Sequence, residues 1–560
     1  MQTKDKIAAA VKAAVEAAMN DGALKFSDAL PEVALEVPPK KEFGDFATNF
    51  AMQTAKIFRT SPRKIAEEIK ARISSDLFER IEIAGAGFMN FYLRPDVIYR
   101  ALKEIYDAGE NFGHLPNKNN VTIQIEYVSA NPTGLLHVGH GRGAAAGSAI
   151  VNIMRAAGYN VESEYYINDA GNQMDKLALS VNARYLELLG EKIDFPEDGY
   201  LGADIIDTTK RIIARHGKKF LKLPDDERLK ILGDLAYADK MFELQKDLEN
   251  FRVHFDVWFS EKTLHPEKIN SAIETLKASG GIYDRDGALW LASSKFGDDK
   301  DRVVIRENGE PTYLAADIAY HKNKFDRGFG ELINLWGADH HGYVARVKAA
   351  MKMLGYDADK LKIIFLQMVS LFRSGEAVKM SKRAGTAIPL RELMDEVGTD
   401  AARYFFLMRS TDSQLDFDLD LAKSQSADNP VYYIQYAHAR ICSIFRQAAE
   451  AGLIQLGIRN EELGIEPKFS LMNSTAEIDL INKIFEYPEE IEKAAAEYAP
   501  QRIARYVYDL ASTFSSFYRD CRILGVEKDL AIARLALLEV TQHTIKHALN
   551  LLGVSAPDHM

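Results

Sequence analysis

Hydrophobic and polar positions change rhythm several times along the chain, and each change predicts a different kind of element. The opening stretch through Gly22 is Ala-rich with apolar residues at helical spacing, an amphipathic helix. After the break Val37-Pro38-Pro39-Lys40, a helix is predicted from Asp45 to Ile57. A strand pair follows, Ile81–Ala84 and Phe88–Leu93, joined through Gly85-Ala86-Gly87. Residues 1–116 therefore predict a small α+β domain. The polar stretch Gly113–Asn120 gives way to Val121-Thr122-Ile123-Gln124-Ile125-Glu126-Tyr127, whose β-rich run suits the buried first strand of an α/β domain. Helical character from Ala144 to Gly158 and strand character from Tyr159 to Tyr166 give the β-loop-α-β order that opens a parallel nucleotide-binding fold. Residues 190–305 are more charged and predict a helical insertion with a short β piece near Gly287–Leu291, before strands resume at Leu332–Trp336 and Lys362–Leu366. Beyond Pro430 the period is helical only, through Tyr432–Ala451, Ser474–Gln501, Arg502–Leu524 and Leu530–Leu552. The expected architecture is an α/β domain over 117–429, with the α+β domain before it and an all-helical domain over 430–560 after it.

Composition narrows the class. At 560 residues the chain exceeds what one hydrophobic core organises, and 47% apolar with 27% charged residues fits folded domains rather than disorder. No apolar run reaches the roughly 20 residues that span a bilayer, and the N-terminus lacks a signal-peptide pattern, so a cytoplasmic location is expected. The two cysteines, Cys442 and Cys521, lie in helical pattern without a CxxC motif and are expected as core thiols. A net charge of −11 excludes a generally basic nucleic-acid binder but not a local Lys/Arg surface.

The sharpest chemical signal is Asn131-Pro132-Thr133-Gly134-Leu135-Leu136-His137-Val138-Gly139-His140-Gly141-Arg142-Gly143, set between a strand and a helix. Glycines 139, 141 and 143 let backbone approach a ligand, the helix start offers N–H groups, and two imidazoles can donate to phosphate oxygens. That suits an α-phosphate becoming pentavalent. Far downstream, Val378-Lys379-Met380-Ser381-Lys382-Arg383 places three cations where they can neutralise charge growing on departing pyrophosphate. Taken singly, the first string also fits a Gly-rich turn and the second a solvated basic loop.

Together, the HVGH and KMSKR strings resemble the paired signature of the class I aminoacyl-tRNA synthetases. The resemblance implies a Rossmann-type catalytic domain that binds ATP, with His137 and His140 on the phosphates and Lys379 and Lys382 assisting adenylate formation. Gly134, Gly139, Met380 and Ser381 belong to the same implied ATP site, and Gln367-Met368-Val369 is similar to the segment whose backbone reads adenine. Mg²⁺ would arrive with ATP, with no separate metal ligand set and no tightly bound cofactor.

The strings Ile125–Thr133 and Tyr165–Gln173 resemble those around the histidine motif in arginyl-tRNA synthetases. A guanidinium asks for carboxylates that accept paired hydrogen bonds, and Glu126 and Asp317 supply them. Tyr313 and Asp317, four apart, share a helix face. By the resemblance they hold the guanidinium, Ser129 and Asn131 hold the α-amino and α-carboxylate groups, and Asp339 and His340 lie in a strand end beside the substrate. Phe43–Asn49 is similar to the family's N-terminal tRNA-contacting domain. Asp428–Arg440 resembles its anticodon-binding domain, where Tyr432, Tyr436 and Arg440 are candidates for RNA contact. L-arginine, ATP and the arginine tRNA are the implied substrates, and a monomer is expected. Both lysines of the second motif are retained where many members have a degenerate version. The rival readings are a synthetase for another amino acid, a paralogue without catalysis, and an HxGH nucleotidyltransferase. Two acids favour a cationic substrate, the intact motifs speak against the paralogue, and the helical C-terminal domain speaks against the nucleotidyltransferase.

Overall fold

The structure, a computed structural model, describes residues 3–38, 40–118, 121–378, 388–457 and 465–560. The chain divides into two compact units. One comprises Met1–Phe112, Ala448–Ile481 and Cys521–Val540, the other Gly113–Gln447, Asn482–Asp520 and Thr541–Met560.

In the first unit the helix Thr3–Asn20 buries Ile7, Val11, Ala14, Val15 and Ala18, the stripe its spacing sets. A three-stranded antiparallel sheet places Phe88–Leu93 between Phe46–Thr48 and Phe78–Ala84. The first of these strands corrects the helix expected over Asp45–Ile57. Phe46, Ala47 and Thr48 are buried and pair with Phe91, Asn90 and Met89, and helix begins only at Phe50, in two pieces, Phe50–Gln53 and Ala55–Phe58. Pairing with a strand distant in sequence outweighs the local helical preference.

The second unit is built on five parallel strands: β1 (Thr122–Glu126), β2 (Asn160–Ile167), β3 (Val257–Ser260), β4 (Glu331–Gly337) and β5 (Leu361–Leu366), in the order β5-β4-β1-β2-β3. Helix α1 (Val138–Ala156) joins β1 to β2, and helix α2 (Tyr313–Asp326) leads into β4. The chain leaves β1 toward β2 and later returns on the other side to β4. The order therefore reverses between β1 and β4, and the carboxyl ends of those strands frame the crevice where α/β sheets bind ligands. β3 corrects the insertion expected over 190–305. That stretch holds the helices Ala203–His216 and Asp225–Asn250, then a strand of the main sheet, then an antiparallel sheet of Ile282–Arg285, Ala288–Leu291 and Arg302–Ile305. Four half-buried residues carry too short a pattern to announce a sheet strand.

Beyond Pro430 the described elements are helices, with the longer ones at Pro430–Glu450, Pro500–Asp520 and Lys528–Leu551. The single helix expected over Ser474–Gln501 is instead Thr475–Phe485, Tyr487–Ala496 and the start of the helix at Pro500. Both breaks fall at prolines, which favour the first turn of a helix and disfavour its interior. Within the second unit the fully buried Arg403 donates to the carbonyls of Leu552 (2.8 Å) and Phe251 (2.7 Å) and to Ser148 Oγ (2.8 Å). Burial pushes its pKa down to about 10. Cys442 and Cys521 are buried free thiols, as expected.

Candidate active site

The loop leaving β1 ends at His137, the N-cap of α1. His137 Nδ1 accepts from the backbone N–H of Gly139 (3.1 Å) and His140 (3.4 Å), and His140 Nδ1 accepts from the N–H of His137 (3.3 Å). The two rings stack 3.6 Å apart. This is a reciprocal helix cap in which imidazoles replace the usual hydroxyl and carboxylate. With Nδ1 accepting in both rings, the ring proton of each sits on Nε2. Two neutral N–H donors are thus gathered at the positive end of α1. A Cβ on Gly139 would stand 3.1 Å from the His137 ring, so glycine lets that ring lie over the first turn. At Gly134 a Cβ would meet nothing within 4 Å. Gly141 and Gly143 do not face a ligand as expected, because added Cβ atoms would stand 2.6 Å from Leu390 and 3.2 Å from Leu366.

Lys379, Met380, Ser381 and Lys382 lie outside the described residues. The residues flanking them are placed. Val378 N–H donates to Leu371 (2.8 Å), while Val138 donates to Ile388 (3.2 Å) and Leu390 to Leu136 (2.8 Å), so the chain resumes paired with the histidine turn.

The candidate amino-acid pocket gathers at the ends of β1 and β4. Glu126 is buried, but both its oxygens are engaged: Oε1 accepts from Ser129 Oγ (2.9 Å) and Oε2 from the fully buried Lys324 Nζ (2.5 Å). Lys324 also donates to Asn334 Oδ1 (2.9 Å). Asn334 Nδ2 donates to His321 Nε2 (2.9 Å), and His321 Nδ1 donates to the Asp317 carbonyl (2.8 Å). Burial, helped by the nearby ammonium of Lys324, pushes the His321 pKa down to about 3, so the ring is neutral. Asp317 accepts a hydrogen bond from Tyr343, and burial, with the charges of Glu261 and Glu126, pushes its pKa up to about 7. Tyr313, on the first turn of α2, is 54% exposed. Asn131 is exposed in the loop.

Five members of this pocket went unnamed from sequence: Lys324, Asn334, His321, Tyr343 and Glu261. The Glu261 carboxylate is buried and accepts from Tyr166 Oη (2.7 Å), with His265 Nε2 at 3.1 Å. Lys324 had a signal. Asp317, His321 and Lys324 fall at i, i+4 and i+7, a polar stripe on a helix flanked by apolar positions.

Asp339 and His340 follow β4 and are exposed, with His340 near the rings of Trp336 and Tyr343 (6.2 and 6.3 Å). Met368 is exposed and its carbonyl accepts from Leu415 N–H (3.2 Å). Val369 begins a strand paired with Leu415–Asp418, and the buried Arg142 donates to the preceding Gln367 carbonyl (2.8 Å). The segment Gln367-Met368-Val369 is thereby tied to the helix that carries the histidines.

Tyr432, Tyr436 and Arg440 come together elsewhere, on the helix Pro430–Glu450. The tyrosine rings are nearly parallel, 6.4 Å apart, and the Arg440 guanidinium lies 4.7 Å from the Tyr436 ring and 4.9 Å from that of Tyr518. Among the described residues one group has metal-ligand spacing, His438, Cys442 and Asp558, and its atoms also bond to Pro557 and Gln542. No described helix is long and apolar enough to cross a membrane.

Residues 103–436 match the class I (R) tRNA synthetase catalytic domain, 2–93 the arginyl-tRNA synthetase N-terminal domain, and 434–560 the DALR anticodon-binding domain. The chain is 52% identical over 539 residues to the arginine–tRNA ligase of Carboxydothermus hydrogenoformans, covering 96% of each. It is 48% identical to that of Bacillus subtilis, covering 100% of this chain and 99% of the relative. The fold matches the Thermus thermophilus arginyl-tRNA synthetase with a TM-score of 0.74 at 23% identity, over 99% of this chain and 100% of that one. The chain belongs to the arginyl-tRNA synthetase family of class I tRNA synthetases.

Proposed function

We infer that this protein is an arginine–tRNA ligase: the arginine carboxylate attacks the α-phosphorus of ATP, pyrophosphate leaves, and the 3′-terminal ribose hydroxyl of tRNA then takes the acyl group from the adenylate, releasing AMP. The observation that carries this reading is a pocket of three acids, Glu126, Asp317 and Glu261, against one internal cation, placed at the same sheet reversal as a helix start capped by two imidazoles. Such a pocket has room for one more positive charge. The Nε2–H groups of His137 and His140 would stabilise charge at the α-phosphate, and Lys379 and Lys382, with Met380 and Ser381 between them, would meet the leaving pyrophosphate. Gly134 and Gly139 would let the phosphates approach, and Met368 and Val369 would meet adenine. Because Glu126 is already paired, we assign the guanidinium to Asp317, Glu261 and Tyr313. Glu126, Ser129 and Asn131 serve the α-amino and α-carboxylate end, and Asp339 and His340 border it.

Mg²⁺ would come with the triphosphate, held mainly by phosphate oxygens and water. We assign residues 1–116 to tRNA contact, 117–429 to catalysis and 430–560 to anticodon binding through Tyr432, Tyr436 and Arg440. We further propose a cytoplasmic monomer. ATP–pyrophosphate exchange with each of the twenty amino acids, with and without tRNA, tests the central reading. Exchange with arginine alone among them is expected, and exchange driven by lysine, glutamate or cysteine would overturn it.

A further inference from the structure

The carboxylate of Glu126 does not face the pocket as a free acid. It is held between a buried ammonium and a serine hydroxyl, and that hydroxyl sits in an unusual backbone. Val128 and Ser129 both have left-handed φ, +67° and +41°, and Ser129 N–H bonds back to the Tyr127 carbonyl (3.0 Å). A β-branched residue adopts that region only when its surroundings force it. Ser129 Oγ provides the force from two sides, donating to Glu126 (2.9 Å) and accepting from Tyr166 N–H (3.2 Å). The turn leads directly into Asn131 and the loop to His137.

We propose that Lys324 is a positioning residue of the amino-acid pocket: by occupying Glu126 from behind, it keeps that carboxylate aimed at Ser129, which locks the left-handed turn that presents the loop to the substrate's α-amino end. Lys324 touches no reactant. It is itself fixed by Asn334, whose amide is oriented by neutral His321, and His321 is anchored on the Asp317 carbonyl. One unbroken hydrogen-bond path thus runs from the turn after β1 to the helix that carries the guanidinium-binding acid. Without the ammonium, Glu126 would be a buried carboxylate with only the Ser129 hydroxyl beside it. It would then be free to leave Ser129, turn toward the substrate and compete with Asp317 and Glu261.

The proposal rests on the arginine reading and separates from it by experiment. Aminoacylation of tRNA by the full-length parent is measured first, and failure to charge with arginine would overturn the functional reading itself. Lys324→Gln keeps a donor but removes the charge. It is expected to raise the arginine KM tenfold or more while leaving the ATP KM within twofold, and Lys324→Arg, which restores the charge, should recover most of the loss. Because Lys324 acts through Glu126, adding Lys324→Gln to Glu126→Gln should change the arginine KM little beyond Glu126→Gln alone. An arginine KM for Lys324→Gln equal to the parent's, with only a lower Tm, would make Lys324 a purely structural residue and sink the proposal. So would effects that multiply in the double variant. If Lys324→Gln does not fold, Asn334→Ser removes the lysine's brace while keeping both charges, and the same arginine-selective rise is then required.

Discussion

The histidine turn and the acid pocket arise at the same reversal of the sheet, yet they are built in opposite ways. The turn closes over four residues, His137 to His140, with neutral rings and backbone N–H groups satisfying one another. The pocket draws on β1, α2, β4 and the segment after β3, and it must hold several ionisable groups out of water. A neutral cap needs only local geometry. A cation pocket needs a charge balance that survives without its ligand, and the structure provides one in two ways: Lys324 neutralises Glu126, and Asp317 is held near neutrality by its raised pKa of about 7. Under the proposed function, affinity for a cation is then conditional, because the arriving positive charge favours ionisation of Asp317.

The turn should give the larger effect when broken. Replacing His137 or His140 with Ala removes half of the cap and one of the two proposed phosphate donors. The activation rate in ATP–pyrophosphate exchange is expected to fall about 100- to 1,000-fold, with a stability loss of about 0.5–2 kcal/mol from the lost cap. Each ring holds the other in place, so the double variant should be little slower than the worse single. Additive losses would show that the rings act separately.

Breaking the pocket should affect arginine alone. Asp317→Asn is expected to raise the arginine KM roughly 30-fold with the ATP KM little changed. The parent should also be pH-dependent. A carboxyl with its pKa raised to about 7 is protonated below that pH and ionised above it, and only the ionised form pairs with a guanidinium. Arginine should therefore bind more tightly as pH rises from 6 to 8, by up to about tenfold per unit below pH 7, and Asp317→Asn should flatten that slope. Ligand-free stability runs the other way. The contribution of the protonated buried acid is complete below its ordinary pKa and is lost as pH rises through about 7. Arginine should consequently raise Tm more at pH 8 than at pH 6. An arginine affinity independent of pH over this range would remove Asp317 from the guanidinium site.

The same contrast explains what was legible in the sequence. The parallel sheet, α1 and the paired histidines follow from short-range pattern, because the residues that make the cap are adjacent. Glu126 and Asp317 were visible as acids, but the partner that decides what Glu126 can do lies in α2, 198 residues downstream. Asn334 inside Leu332-Ile333-Asn334-Leu335-Trp336 was a readable anomaly, since buried parallel strands are otherwise apolar. Glu261 gave no such warning, because β3, which precedes it, is too short to be recognised as part of the sheet. In the first unit, Phe46–Thr48 reads as helix locally and becomes strand only through Phe88–Leu93.

The helical region offers a control outside both sites. Tyr436→Ala removes an exposed ring braced by Arg440. If that face stacks on splayed bases, the tRNA KM should rise roughly fivefold to 100-fold, the equivalent of about 1–3 kcal/mol. The arginine and ATP KM values should stay at the parent's level. Unchanged tRNA charging would move the contact to another face.

The smallest expected effect distinguishes the two uses of glycine in the turn. Gly139→Ala would set a Cβ 3.1 Å from the His137 ring, tight enough to displace the ring that caps α1. It should therefore lower both Tm and activation, as a mild version of His137→Ala. Gly134→Ala has open space around its Cβ, so the folded chain has no steric reason to resist it, and the unfolding free energy should shift by no more than about 0.5 kcal/mol in either direction. If a phosphate approaches the backbone at Gly134, the added methyl meets the ligand rather than the protein, and the ATP KM should rise a few-fold while the arginine KM and Tm hold. A lower Tm with unchanged ATP KM would instead mean that Gly134 serves the turn and not the nucleotide. The two alanines, five residues apart, thus separate the part of the motif that builds the cap from the part that receives the ligand.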